Sequence, residues 1–359
     1  MTIYLIRASH ANQFELQNYE GIGKELDIHV ITSHHPLTPI SLPSTALWSP
    51  TDLPNFPLRR QLLNRAIGGE QWLLGLGKTI THHYHNSNHS SSVHTAESYT
   101  PYTHQAVELR KRGVIAKLVC TCWETIPHNN EKFARLRQWK QDAYRYVDLF
   151  HTPTERAKQA LVTEGVDPHK IVVIPYGVDL TRFHPTSLQG QALKARPTIL
   201  TVARLEKEKG MEDLSVVASQ LKEYDFLVVG QGTYNFQGSN IQVLSVPYSQ
   251  IHKLYRQADL FFLPSQSTPT WEEQYGLALV EAMASGLPIV TTTSGAIPEV
   301  VGSAGITLQE CDVDKMVKSI KELLSSPDLH QQYCCRSRRR ACKLYDARPI
   351  SSTLKALYL

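Results

Sequence analysis

The stretch Trp271–Gly302, "WEEQYGLALVEAMASGLPIVTTTSGAIPEVVG", decides how this chain is read. Its middle predicts a helix with a marked stop: Gly286 just past the end, then Pro288. Leu277, Val280, Met283 and Ala284 surround Glu281, so the helix is apolar nearly all round and reads as buried. An unpaired carboxylate in such a place is costly. Glu281 therefore either joins a distant Lys or Arg in a buried ion pair or accepts hydrogen bonds from a polyhydroxyl ligand. Glu272 and Glu273 stand just before the helix, where acidic groups offset its dipole. The functional alternative puts Glu273 in a loop at the carboxyl end of the strand "LFFLPS", where open α/β sheets bind ligands. A helix N-terminus there also favours phosphate oxygens.

Outward from this stretch, short β-branched runs ("IYLI", "DIHVIT", "KLVCTC", "KIVVIP", "PTILTVA", "DFLVVG", "LPIVTTT") alternate with helical segments. Fully apolar strands alternating with helices predict parallel sheets covered on both faces. At 359 residues the chain exceeds the size at which one core keeps growing, so two domains are expected. The break falls at the polar "TSLQGQALKARP". The expectation is α/β, two doubly wound Rossmann-like domains over 1–188 and 189–343, with a helix over 344–359.

Composition narrows the function classes. The 42% hydrophobic and 19% charged content is that of an ordinary globular protein, and no apolar run reaches transmembrane length. "MTIYLIRASH" reads as a first strand rather than a leader, and the six cysteines lack metal-site spacing. A cytoplasmic protein with reduced thiols is expected. The net charge of +4 is concentrated in "RSRRR" (336–340), which reads as a solvated helix face, so no nucleic-acid partner is expected. "PLRRQLLNRAIGGEQWLLGLGK" (57–78) mixes apolar and basic residues as an interfacial helix does, so a peripheral membrane surface is a candidate partner. "THHYHNSNHSSSVH" carries His82, His83, His85, His89 and His94 but reads as a polar loop without metal-ligand register.

The signature stretch resembles the family 4 retaining glycosyltransferases of the GT-B fold: two glutamates separated by seven residues, then Gly-x-Pro and a strand. The resemblance implies that Glu273 contacts the transferred sugar and Glu281 the nucleotide ribose, with Tyr275, Gly276 and Leu277 beside the donor. "VARLEKEKG" is similar to the family's phosphate-binding motif and implicates Arg204 and Lys209. "VVGQGT" looks like its glycine turn, with Gly230 and Gly232 near the nucleotide. A leaving diphosphate gains charge in the transition state, and an Arg with a Lys can stand in for a metal ion. The closing "KLYDARPISSTLKALYL" resembles the helix that crosses back to the first domain. The resemblance covers roughly 115–359. It implies two domains facing a cleft, a nucleotide-diphospho-sugar donor as substrate, no cofactor, no required metal, and a sugar or lipid-linked acceptor.

The N-terminal half departs from the pattern. Gly21 and Gly23 come too late to admit donor phosphates after the first strand, and Trp123 stands where the family commonly has a histidine. Glu124 is the candidate to orient the acceptor or take its proton, with His128 in reserve and Glu97 on another strand end; packing and helix capping near "HNNEKF" is the alternative. The expected activity is retaining transfer of a sugar to a hydroxyl acceptor. A non-catalytic nucleotide-sugar binder and a nucleotide-sugar epimerase are the rivals.

Overall fold

A computed structural model describes the chain except residues 1, 57, 88–90 and 187–193, and the side chains of 82–87. His82, His83, His85 and His89 of the histidine-rich segment therefore lie outside the described side chains. The chain forms two compact units, Met1–Pro175 with Arg348–Leu359, and Tyr176–Ala347.

The first unit is built on seven parallel strands: β1 (Thr2–Ala8), β2 (Asp27–Thr32), β3 (Ser44–Ala46), β4 (Ser92–Ala96), β5 (Lys117–Thr121), β6 (Leu149–Thr152) and β7 (Ile171–Val173). Their order, β3-β2-β1-β4-β5-β6-β7, reverses direction between β1 and β4, the mark of a doubly wound sheet. Burial drives it: Ile3, Tyr4, Leu5 and Ile6 of β1 are fully buried, as a central strand covered on both faces requires.

The second unit has six parallel strands: β8 (Thr198–Val202), β9 (Asp225–Val229), β10 (Ile241–Leu244), β11 (Leu260–Leu263), β12 (Ile289–Thr292) and β13 (Ile306–Leu308). Their order, β10-β9-β8-β11-β12-β13, places the switch between β8 and β11. "LFFL" of β11 is wholly buried at the centre. Leu277–Ala284 is the expected helix, and Glu281 within it is 3% exposed. Two bonds close it, Gly286 N–H to the Met283 carbonyl (3.0 Å) and Leu287 N–H to the Ala282 carbonyl (3.0 Å), a Schellman motif.

The units divide earlier than expected, at Pro175 rather than near 188. The reason is packing. Phe183 is fully buried with its ring near Tyr255, and Val178 N–H bonds the Tyr345 carbonyl at 2.9 Å, so 176–185 belongs to the second core. At the far end the helix Pro327–Leu344 stays with the second unit and the crossing comes at Ala347/Arg348. The final helix, Ala347–Lys355, then docks on the first unit: Ile22 N–H bonds Ser351 Oγ (3.0 Å), and the Tyr358 hydroxyl lies 2.6 Å from His94 Nδ1. "RSRRR" is only partly a solvated face. Arg338 donates to the Phe183 carbonyl (3.0 Å) and Arg340 Nε to the Val300 carbonyl (2.8 Å).

Candidate functional site

In the second unit Arg204, Lys209 and Glu273 stand on loops leaving the carboxyl ends of β8 and β11. After β8 the chain runs through Arg204 to a tight turn, Lys207–Lys209, and then Gly210 at φ 71°. A Cβ at Gly210 would lie 1.8 Å from the Pro264 carbonyl oxygen, so only glycine lets this turn press against the loop after β11. That approach carries Lys209 to Glu273: Nζ and Oε2 are 2.7 Å apart. Ser265 Oγ donates to the same oxygen at 3.0 Å, and the Trp271 ring lies under the ammonium, 4.7 Å from its centroid. The Glu273 backbone is held as well, its carbonyl accepting from Ala296 N–H at 2.8 Å. A 64-residue separation thus becomes one nearly buried ion pair at the switch point.

Arg204 is on the same loop but turned outward. Its side chain is 59% exposed and bonds Glu208 Oε1 at 2.8 Å. A surface pair of this kind contributes little, so the guanidinium is available to a ligand.

Glu281 has a neutral protein partner in place of the expected ion pair. The Tyr255 hydroxyl donates to Oε2 at 2.7 Å, and no ion pair reaches it among the described residues. Burial raises its pKa to about 7, while the hydroxyls of Tyr255 and Tyr248 and the charge of Arg182 pull the other way. A carboxyl poised near neutrality in a hydrocarbon setting is a common mark of a functional site.

The other donor-side residues have structural duties. Gly230 follows β9, and a Cβ there would lie 1.8 Å from the Ala203 carbonyl oxygen; one at Gly232 would lie 2.4 Å from that of Leu205. Contact with the β8 extension already accounts for both glycines. The buried Tyr275 hydroxyl donates to the Tyr176 carbonyl, which leaves Tyr275 only its backbone for a ligand. Gly276 flanks the helix at φ 78°, and Leu277, half-buried, begins it.

In the first unit the structure redistributes the acceptor candidates. Glu124 Oε1 accepts from Thr125 and Ile126 N–H, both at 3.0 Å, and Oε2 from Asn129 Nδ2 (2.9 Å) and Asn130 Nδ2 (2.8 Å). With four donors on two oxygens it organises the 124–130 loop. Glu97 is left more open. It sits just past β4 at φ 59° and is half-buried; Trp123 N–H donates to Oε1 at 2.8 Å. Burial, then the neighbouring Glu124 charge, push its pKa up to about 8.

His128 is largely exposed, with Nδ1 3.3 Å from Glu131 Oε1. His128, Glu131 and Glu164 lie close enough to suggest a cation site. Lys140 Nζ fills that role, 3.1 Å from Glu131 and 2.8 Å from Glu164. Sequence reasoning missed Ser265, Trp271 and Tyr255. Trp271 stood in plain view two residues before Glu273; Tyr255, in "HKLYRQADL", carries no local signal of its partner.

Both units resemble known proteins. Residues 27–177 match the family "Glycosyl transferase 4-like domain" and residues 187–340 match "Glycosyl transferases group 1". The putative colanic acid biosynthesis glycosyltransferase WcaL of Salmonella typhimurium is 26% identical over 70% of this chain and 66% of that protein. The chain spans about half to two thirds of the length of the curated relatives it matches. Among solved structures, sucrose-phosphate synthase from Thermosynechococcus elongatus superposes with a TM-score of 0.78 at 16% identity, over 99% of this chain and 98% of that one. HepE of Anabaena, in complex with UDP and glucose, does so with a TM-score of 0.74 at 16% identity, again over 99% and 98%. These likenesses show the fold. By its two family matches and its paired parallel sheets, the chain belongs to the family 4 glycosyltransferases of the GT-B fold.

Proposed function

We propose that the chain transfers a sugar, with retention, from a nucleotide-diphospho-sugar to a hydroxyl acceptor on a glycan, glycolipid or small molecule. The observation that carries this is the Lys209–Glu273 pair at the switch point of the second sheet. Glu273 orients the transferred sugar, Lys209 and Arg204 meet the diphosphate, and Glu281 receives the ribose. Charge on the leaving diphosphate peaks in the transition state, so these cations act mainly on turnover. Departing phosphate helps deprotonate an acceptor attacking from the same face. That scheme asks little of a protein base, in keeping with a Glu124 bonded within its own loop; Glu97 is the first-unit candidate to align the acceptor. No metal is required, Arg204 and Lys209 supplying the charge one would carry. HepE's complex with UDP and glucose supports a nucleotide-sugar donor here.

The acceptor reading extends to a lipid surface. The helix Arg59–Ile67 buries none of its residues. Trp48, Leu53, Phe56, Leu58, Leu62, Ile67 and Leu74 are exposed within one short span of the first unit. Arg60 and Arg65 form no ion pair among the described residues, so the span joins apolar area to free positive charge, as binding to an anionic bilayer requires. Among the described residues no helix is long and apolar enough to cross a membrane. Peripheral attachment at a cytoplasmic membrane face, with a lipid-linked acceptor, follows from this reading.

An acceptor-free turnover assay, run beside calorimetry with nucleoside diphosphates, tests the core of the proposal. Diphosphate binding with at most slow donor hydrolysis is expected. Conversion of donor alone to an epimer, or no nucleotide binding, would overturn it.

A further inference from the structure

The second unit holds a cavity of about 320 Å³, within the size range of small-molecule sites. It lies between the end of the helix Tyr248–Gln257, the turn that closes Leu277–Ala284, and the long helix Pro327–Leu344. Tyr255 and Leu287 give it apolar walls. Three guanidiniums, Arg256, Arg338 and Arg339, line it, and none forms an ion pair among the described residues. Arg338 is anchored on the Phe183 carbonyl, whereas Arg339 is exposed and makes no hydrogen bond among the described residues. The carboxylate on the lining, Asp259, is taken by Lys194 Nζ at 3.1 Å and Thr198 N–H at 2.8 Å, so it does not neutralise them.

On the lining residues, two buried polar atoms have no hydrogen-bond partner among the described residues: Ser285 Oγ, on a residue 4% exposed, and Arg256 Nε. Buried donors left unbonded are costly and rare, and both kinds of donor here suit an oxyanion. We infer that this cavity is a second ligand site, which takes a compact apolar molecule bearing one phosphate or carboxylate. The apolar body lies on Tyr255 and Leu287, and the oxyanion accepts from the guanidiniums and Ser285 Oγ. The inference does not rest on the glycosyl-transfer reading.

Cys335, exposed at the same lining, offers a direct readout. Its neighbour Cys334 does not compete, because burial pushes that thiol up to about 12. Cys311 and Cys342, both exposed, serve as internal controls. The full chain, with nucleoside diphosphate present, is alkylated with iodoacetamide, and each cysteine is followed by peptide mass spectrometry. Phenyl phosphate should slow Cys335 alone, about fivefold once its concentration reaches about four times its dissociation constant. Inorganic phosphate and phenol should each protect far less. Arg339→Gln, at an exposed residue without bonds, keeps the fold and should abolish most of the protection; Arg256→Gln should do the same. The inference is overturned if Cys335 is not selectively slowed, if phosphate or phenol alone protects as well, if Arg339→Gln retains protection, or if the slowed residue is Cys311.

Discussion

Glu281→Gln is the substitution whose outcome separates a ligand-binding carboxylate from a packing residue. Gln keeps the shape and can still accept from the Tyr255 hydroxyl, but cannot ionise. In the folded chain the Glu281 pKa is about 7, against 4.5 for an ordinary glutamate. A carboxyl raised in this way contributes fully to stability below the unfolded value. That contribution is lost as pH rises from about 4.5 through about 7. One pKa unit corresponds to about 1.4 kcal/mol, so the full penalty of holding Glu281 ionised is roughly 3 kcal/mol, most of which develops between pH 5 and pH 8. Glu281→Gln should therefore match the wild type near pH 5 and exceed it at pH 8, measured on the urea transition of the second unit. At pH 8 the same variant should bind nucleoside diphosphate about tenfold or more weakly in calorimetry, because it loses a charged hydrogen-bond acceptor for the ribose. A stability difference independent of pH would refute the buried-carboxyl argument. Unchanged nucleotide affinity would refute the ribose role.

Lys209→Met leaves Glu273 almost buried without its cation and should cost about 3–5 kcal/mol of stability by chemical denaturation; restoring most of it by adding Glu273→Gln would show that the pair, not the lysine stem, matters. Arg204→Ala, at a surface pair, should leave stability within about 0.5 kcal/mol yet lower kcat more than donor affinity; equal losses in both would reduce Arg204 to an anchor. Activity limited by Glu97 should rise as pH passes about 8, where its carboxyl ionises, and Glu97→Gln should flatten that limb while Glu124→Gln instead lowers thermal stability. Leu62→Glu should release the chain from anionic vesicles in co-sedimentation without changing its circular dichroism; undiminished binding would remove the membrane reading.

Legibility in the sequence tracked burial. "LFFL" and "IYLI" are recognisable because every side chain is buried on a central strand. β10 is obscure for the opposite reason: "IQVL" is an edge strand with Gln242 and Val243 exposed. β6 is obscured by His151, polar yet fully buried, whose Nε2 is satisfied 2.7 Å from the Ile174 carbonyl. At the site, the oddity of Glu281 was visible from its neighbours. Its partner was not, since Tyr255 reaches it only through the packing of two helices. Glu124 shows what a short stretch can disclose. Its four donors all come from the six residues after it, so the local hydrogen bonding is legible in "ETIPHNN".

The return of the C-terminal residues to the first unit also sets an order of events during synthesis. Ser351 and Tyr358 bond Ile22 and His94, and Leu354 and Leu357 are buried, so residues 348–359 complete a core begun at β1. Everything in the second unit, Tyr176–Ala347, leaves the ribosome before them. The earliest-made unit is therefore the last to be finished, and until then it waits with apolar surface uncovered while its neighbour can already be folded. A truncation at Lys355 should consequently aggregate through the first unit, although every residue removed lies more than 180 positions beyond that unit's other boundary at Pro175.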